Sequence, residues 1–440
     1  MAQHITRFFQ IGARSLRESP KGPQSVPRPN SPGDGRRGPV DVTLLTVVGC
    51  LVSIGLVTVY SASAFDLYFS RGPDAQFHFF HRQAQGALLG ALALLVASRV
   101  DYDLYRRHVY LILAAAFFLL CLTHVPGIGI TWNGAARWIQ LGPMRLQPAE
   151  FAKIAFVVFL AYSVSKKGQA MSRFAEAFIS HAIVLAPFVF VLLLQPDLGS
   201  AVILCVLAGL LVFIGGARWS FLIGFGAAGL LLVTTAIQGA SYRMDRVEAW
   251  LDPWAEAGTR GYQLVNSYVA FAQGGLTGTG FGEGSGRMGF VPELLNDFVA
   301  ASIAEEFGLL GIVTLIVLYI VFVWRGTTIA LRARDAFGTY LAFGLTALIA
   351  LQALVNLGVV TGTLPTKGLT LPFVSYGRTS LILLLFAVGI LINIGQANPN
   401  LHEERRAARE QARREQALRA KEGRVEDRRR AKRRRAAEGP

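Results

Sequence analysis

Asp297, in the stretch VPELLNDFVAASIAEEFG, stands where a polar segment turns into a long apolar one. A carboxylate at a hydrocarbon boundary is partly desolvated. That raises its pKa and makes it a better proton acceptor near neutral pH. The competing reading is local, with Asn296 or Asp297 serving as a helix N-cap. Further along, Glu305 and Glu306 fall within the same apolar stretch. On an uninterrupted helix Glu305 would lie roughly 12 Å deeper than Asp297 and about 80° around the axis, with Glu306 pointing roughly opposite. Adjacent acids inside a membrane must face the bundle interior or pair with a cation, so a supporting role in helix packing is expected for both.

The cations that could complement such a carboxylate come from two other stretches. NGAARWIQLGPMRLQPAEFAKIAF supplies Arg137, Arg145 and Lys153. Pro148 suits a first helical position with Gln147 just outside it. Glu150 and Lys153 are then three apart on one face and able to pair. A lysine within the membrane needs an acid or a ligand anion, and arginine recognises phosphate oxygens bidentately. Together the three cations suit a lipid diphosphate; a salt bridge from Lys153 to Glu150 or Glu305 is the structural alternative. The second stretch, SYRMDRVEAWLDPW, repeats Met244, Val247, Trp250, Leu251 and Trp254 at helical spacing, with Arg243 and Arg246 between them. It reads as an amphipathic helix at the membrane surface, either a simple anchor or a guide for substrate.

Other motifs carry less chemistry. GGLTGTGFGEGSGRMG holds eight glycines between Gly274 and Gly289. It has no preceding strand and no Gly-Lys-Ser/Thr ending, so it is a close-packing flexible loop rather than a phosphate loop. QPDLGS, residues 195–200, is a tight turn in which Asp197 caps the following helix. Cys50, Cys121 and Cys205 each sit inside an apolar span and have neither metal-ligand nor disulfide spacing.

Positioning these residues falls to apolar helices. Of the 440 residues 52% are hydrophobic and only 16% charged, against about 25% charged in a soluble chain. That excludes a soluble enzyme, a secreted disulfide scaffold and a disordered regulator. Ten spans are expected, near 42–61, 83–98, 108–123, 148–164, 180–195, 199–215, 219–239, 298–324, 337–360 and 372–395. The fold class is an all-α polytopic membrane protein. Placing the N-terminus in the cytoplasm puts 32 of the 43 Lys and Arg on the cytoplasmic side, the short loops agreeing with the tails. Both termini are then inside, and the loops 124–147, 240–297 and 361–371 are outside, the long one at 240–297 being of a length usually functional. No cleavable signal is expected: residues 1–41 read as a disordered arm, 42–396 as the membrane domain, and 397–440 as a basic tail. Most of the net charge of +15 belongs to the ends, so nucleic-acid binding is not read from it. The tail suits anionic inner-leaflet lipid, a cytoplasmic protein, or no partner at all.

In one order, NGAARWIQLGPMRLQPAEFAK, QPDLGSA, YRMDRVEAWLDPW with GYQLVNS, VPELLNDFVAASIAEEFGLLG and LPTKGLTLPFVSYG resemble the SEDS family (shape, elongation, division and sporulation). These are the FtsW/RodA polyprenyl-linked peptidoglycan polymerases, and the likeness covers about 42–396. PTKGLTLPF is more similar to the FtsW, or division, branch than to the RodA, or elongation, branch. The sequence departs from the family at Arg378, where a second glycine usually follows Ser375-Tyr376-Gly377. The resemblance implies a glycan-strand polymerase using lipid II, an undecaprenyl-diphosphate-linked disaccharide-pentapeptide, at the outer face of the inner membrane during septal synthesis. It implies Asp297 as the essential acid, either a base for the sugar 4-hydroxyl or the holder of a divalent cation, Mg or Mn, that offsets leaving-group charge. No cofactor is certain. It implies substrate contacts from Lys153, Arg137, Arg145, Arg243, Arg246, Glu150, Lys367 and Ser375, and as partners a class B penicillin-binding transpeptidase (FtsI-like) and other division proteins. A lipid II flippase and a membrane scaffold are the rival classes. The absence of an internal repeat and the outer position of the polar cluster favour an extracytoplasmic enzyme over a transporter.

Overall fold

The computed structural model describes residues 38–132, 135–142, 144–239, 241–284, 295–366 and 368–397. Lys367, the arm up to residue 37 and the tail from residue 398 therefore lie outside the described residues. A helix stands at each of the ten expected spans: α1 (Val42–Arg71), α2 (His78–Arg99), α4 (Val109–Leu122), α5 (Pro148–Lys167), α6 (Ser180–Leu194), α7 (Leu198–Ile214), α8 (Trp219–Gln238), α11 (Val299–Leu331), α12 (Ala336–Val360) and α13 (Arg378–Gln396). Between these lie a short helix, α3 (Asp103–Arg107), and two helices of the long loop, α9 (Ser241–Leu251) and α10 (Tyr262–Gly274). Among the described residues, seven helices are long and apolar enough to cross a membrane, and α4 and α7 are shorter apolar helices. This is a multi-pass membrane protein. Side chains such as Leu88, Phe190, Ile223, Leu230, Val317 and Trp324 are exposed. Apolar side chains turned outward on long helices are what a bilayer requires.

At the middle of the bundle stands α5, with most of its length buried, including Phe156, Leu160 and Lys153. It packs against α12, α4 and α7. The most extensive helix–helix packing is between α2 and α13. A Cβ on Gly90 would stand 2.5 Å from the Leu385 side chain, and one on Gly389 2.5 Å from the Leu94 carbonyl. Small residues let these backbones approach, as is usual where lipid offers no hydrophobic drive to pack helices.

At one end of the bundle, Gly38 N donates to Gln396 O at 2.8 Å, and Arg325 pairs with Asp41, the N-cap of α1. Nearby, Asp335 caps α12 while accepting from the Tyr102 hydroxyl at 2.8 Å and from Arg106 at 3.0 Å. At the opposite end, where a loop over 124–147 is expected, stands a three-stranded antiparallel sheet, β1 (Gly129–Trp132), β2 (Ala135–Leu141) and β3 (Met144–Leu146), in the order β1-β2-β3. Alternation along β2 sends Arg137 and buried Ile139 to one face, toward the helices.

One expected helix is not continuous. Within α11, Gly308 has φ 62° and ψ −157°, a break in the helical ladder roughly 13 Å from its start. The glycine-rich loop fills the break. Thr279 N and Gly280 N donate to the carbonyls of Glu305 and Glu306 at 2.9 and 3.2 Å, and Leu309 N and Leu310 N donate to Gly275 O and Leu276 O at 3.0 and 3.2 Å. Irregular backbone at membrane depth is tolerated only where protein satisfies it, and these four bonds do so. The close packing expected of this stretch is therefore present, but as a plug in a broken helix. The angular placement of Glu305 relative to Asp297 on a single regular helix does not hold, because Asp297 precedes the helix altogether.

Gly278 makes this seat possible. It has φ +86°, and a Cβ there would stand 2.0 Å from Glu306 O. Gly278→Ala combines a left-handed backbone penalty with an overlap against main chain, and should cost at least about 2 kcal/mol. Thermal unfolding of the purified protein in detergent checks this; an unchanged midpoint would mean the loop is not seated in the break.

Candidate active site

Asp297 belongs to the turn 295–298 leading into α11. The N-cap of that helix is Phe298, without a side-chain cap bond, so neither Asn296 nor Asp297 takes the capping position. The helix-cap alternative raised by the sequence is corrected here. The turn is instead strapped to the segment between α12 and α13. Asn356 Nδ2, on α12, donates to Asp297 O at 2.8 Å and to Leu369 O at 2.7 Å. Ser375 Oγ donates to Asn296 O at 2.5 Å and accepts from Leu371 N at 2.8 Å. Tyr376 N donates to Leu295 O at 2.8 Å. Gln83, on α2, holds the far side of the strap: its Nε2 donates to Ser375 O at 3.0 Å and its Oε1 accepts from Gly377 N at 3.2 Å.

Arg137 reaches the same place from the sheet. Its Nε donates to Gln195 O at 3.1 Å and its Nη2 to Pro196 O. These carbonyls are presented by the QPDLGS turn, where Asp197 accepts from Ser200 N at 3.0 Å and caps α7 as expected. Buried Gln195 is itself fixed by bonds to Leu120 O and Thr123 Oγ1 at 2.9 and 2.8 Å. The remaining arm of the guanidinium faces Gly368. A Cβ on that glycine would stand 3.4 Å from Asp297 Oδ2 and 3.5 Å from Arg137 Nη1. The carboxylate ahead of α11 and the arginine ahead of α5 thus converge on one backbone point. Arg145 adjoins α13, its carbonyl accepting from Thr379 Oγ1 at 2.6 Å, next to Arg378.

The arrangement offers a carboxylate fixed through its own main chain, with a cation oriented beside it. Three comparisons bear on what uses it. The family model FTSW_RODA_SPOVE, described as "Cell cycle protein", matches residues 42–400. The chain belongs to this family. Relatives include a "Probable peptidoglycan glycosyltransferase FtsW" of Geobacter metallireducens, 41% identical over 354 residues, covering 80% of this chain and 94% of the relative. The stage V sporulation protein E of Bacillus subtilis is 37% identical over 356 residues, covering 81% and 97%. Among solved structures, a chain of a peptidoglycan synthase complex described as coordinating polymerization and crosslinking matches with TM-score 0.68 and 29% identity, covering 82% of this chain and 98% of that one. The rod shape determining protein RodA of Thermus thermophilus matches with TM-score 0.61 and 28% identity over the same shares.

The other expected contacts are distributed differently in this family member. Lys153 Nζ lies 2.7 Å from Glu150 Oε1, and both side chains are buried, so of the two acids named from the sequence Glu150 is shown as its partner. Arg243 donates to the carbonyls of Ala236 and Leu193, at 2.7 and 3.4 Å, closing the ends of α8 and α6. Arg246 is exposed on α9. On the same helix Trp250 donates to Gly362 O at 2.7 Å, while Leu251 and Trp254 are exposed, as an interface anchor would have them. Glu306 accepts from the Ser61 hydroxyl of α1, and a Cβ on Gly284 would stand 2.9 Å from Glu305 Oε2. Both acids belong to the plugged break.

Asn356, Gln83 and Gln195 were not among the residues singled out from the sequence. Each is at most 1% exposed, within a helix of the bundle or at its end. A buried amide in a membrane segment is costly unless it has partners, and that rarity is the signal that could have found them.

Proposed function

We propose that this protein is a glycan-strand polymerase acting on lipid II at the outer face of the bacterial inner membrane, at the division septum, as an FtsW-type enzyme. The observation that carries the reading is the meeting of the Asp297 carboxylate and the Arg137 guanidinium about Gly368, at the end of the bundle opposite Gly38 and Gln396. Lipid II has an apolar tail, a diphosphate at headgroup level and sugars above it, which calls for cations with a carboxylate close by. The relatives' names as peptidoglycan glycosyltransferases support the same substrate class.

In the reaction, the Asp297 carboxylate takes the proton from the 4-hydroxyl of the accepting sugar. The oxygen attacks the anomeric carbon of the second sugar; a glycosidic C–O bond forms as the bond from that carbon to the diphosphate oxygen breaks. Negative charge accumulates on the departing undecaprenyl diphosphate. Arg137, with Arg145, Lys153 and Lys367 as further candidates, stabilises it; a preorganised contact of this kind is worth about 2.7–4 kcal/mol. Among the described residues no three His, Cys, Asp or Glu converge as a metal cage. Asp297 as a lone protein ligand still fits Mg or Mn shared with substrate phosphates, since magnesium is often bound through one carboxylate and phosphate oxygens. Such a cation would offset leaving-group charge. A class B transpeptidase is the proposed partner, in keeping with the synthase-complex chain that this fold matches.

The broken helix α11, with buried acids at its break, is the observation favouring transport of the same lipid. Purified protein in detergent separates the two. Labelled lipid II should be converted to long glycan chains with no second compartment present; protein that moves lipid II across vesicles yet forms no polymer in detergent is a transporter.

A further inference from the structure

We propose that Asn356 is a positioning residue for the reaction, holding the backbone of Asp297 and the backbone facing the Asp297 carboxylate on a single carboxamide. The inference rests on the polymerase reading. The side chain is 1% exposed, near the end of α12. Its two partners, Asp297 O and Leu369 O, can only accept hydrogen bonds, so the NH2 end must face them and the orientation of the amide is determined. The Oδ1 that remains is buried and has no hydrogen-bond partner. An apolar residue would fill the space without burying an unpaired acceptor, and that cost points to the two donated bonds as what this position supplies.

Those bonds join the parts of the site that must keep register. Leu369 directly follows Gly368, the point on which Asp297 Oδ2 and Arg137 Nη1 converge. One bond therefore sets where the carboxylate springs from, and the other sets the main chain it faces. The straps from Ser375 and Tyr376 reach the neighbouring Asn296 and Leu295 but not Asp297 itself. Asn356 touches neither a sugar nor a phosphate in this scheme; it acts through Asp297.

The test uses the full-length protein in detergent with lipid II as probe, comparing Asn356→Asp, Asn356→Ala and wild type. A misplacement near 1 Å at a reacting group can cost about 100-fold in rate. Accordingly kcat should fall by about 10- to 100-fold in both variants with KM for lipid II within about twofold, because lost positioning slows chemistry without removing a binding contact. In Asn356→Asp an ionised carboxylate faces two carbonyls, whereas its protonated form donates to one of them. The ratio of its rate to the wild-type rate should therefore rise as pH is lowered, and the alanine variant should show no such rise. A kcat within about threefold of wild type in both variants, or a loss residing wholly in KM, overturns the proposal. Backbone hydrogen exchange covers the case in which the aspartate variant does not fold. In Asn356→Ala, exchange should quicken together in 295–298 and 369–376 and stay unchanged in α5; unchanged exchange in both segments also overturns it. If wild type makes no glycan, the polymerase reading fails while the exchange arm still tests the clamp.

Discussion

Replacing Asp297 by Asn should lower glycan formation from lipid II by about 10²–10⁴-fold, the range expected when a positioned general base is removed. The exchange is nearly isosteric, and bonds to the main chain of the residue and its neighbours hold the turn in either variant. Asn356 donates to the Asp297 carbonyl, and its neighbours are held by Ser375 and Tyr376. The variant should therefore fold with the wild-type melting midpoint and bind lipid II with little change, the loss falling on kcat. Polymerisation by Asp297→Asn at the wild-type rate would remove the assigned role of the carboxylate. Titration with Mg or Mn distinguishes the two forms of that role. A base acting alone gives a residual rate insensitive to the cation. A carboxylate that shares a cation with the diphosphate gives a residual rate that climbs as the cation is raised.

Breaking the Glu150–Lys153 pair should have the largest effect on stability. The two charged ends are 2.7 Å apart, with side chains only 1% and 8% exposed. Removing one partner leaves the other charge buried and uncompensated, which costs about 3–5 kcal/mol. Lys153→Met should thus melt far below wild type. Adding Glu150→Gln removes the stranded charge and should restore most of that loss, since replacing a buried pair as a unit is often neutral. Melting in detergent of the two single variants and the double variant closes the cycle. A double variant no more stable than Lys153→Met would show that the pair is not what holds the first turn of α5. The polymerisation rate of a well-folded double variant separates roles. Recovery marks the pair as structural, whereas persistent loss marks Lys153 as a cation the diphosphate needs.

Both predictions draw on features visible in the chain before its structure. The spacing of Glu150 and Lys153 already required them to share a helix face, because local geometry dictates it once Pro148 starts the helix. Asp297 stood out for its place at an apolar boundary. The cap alternative could not be dismissed from sequence, since one residue's shift in a helix start decides it. The glycine-rich stretch was legible as close-packing but not as a plug, because nothing local announces that Gly308 will break its helix when Gly326, further along α11, and Gly344, in α12, leave the helical run unbroken.

The sequence by itself determined the membrane class, where helices begin and end along the chain, and the helix face that Glu150 and Lys153 share, and it favoured Asp197 as a cap. Each follows from composition or from contacts within a turn or two, where periodicity and spacing are sufficient. Only the tertiary structure decided that Arg137 meets Asp297 at Gly368, that Asn356 binds two carbonyls from separate loops, and that Arg243 is engaged with helix ends. These are contacts between segments distant along the chain. Their partners are largely backbone carbonyls, which every residue carries, so no pattern of side-chain types can reveal which of them a buried amide or guanidinium will find.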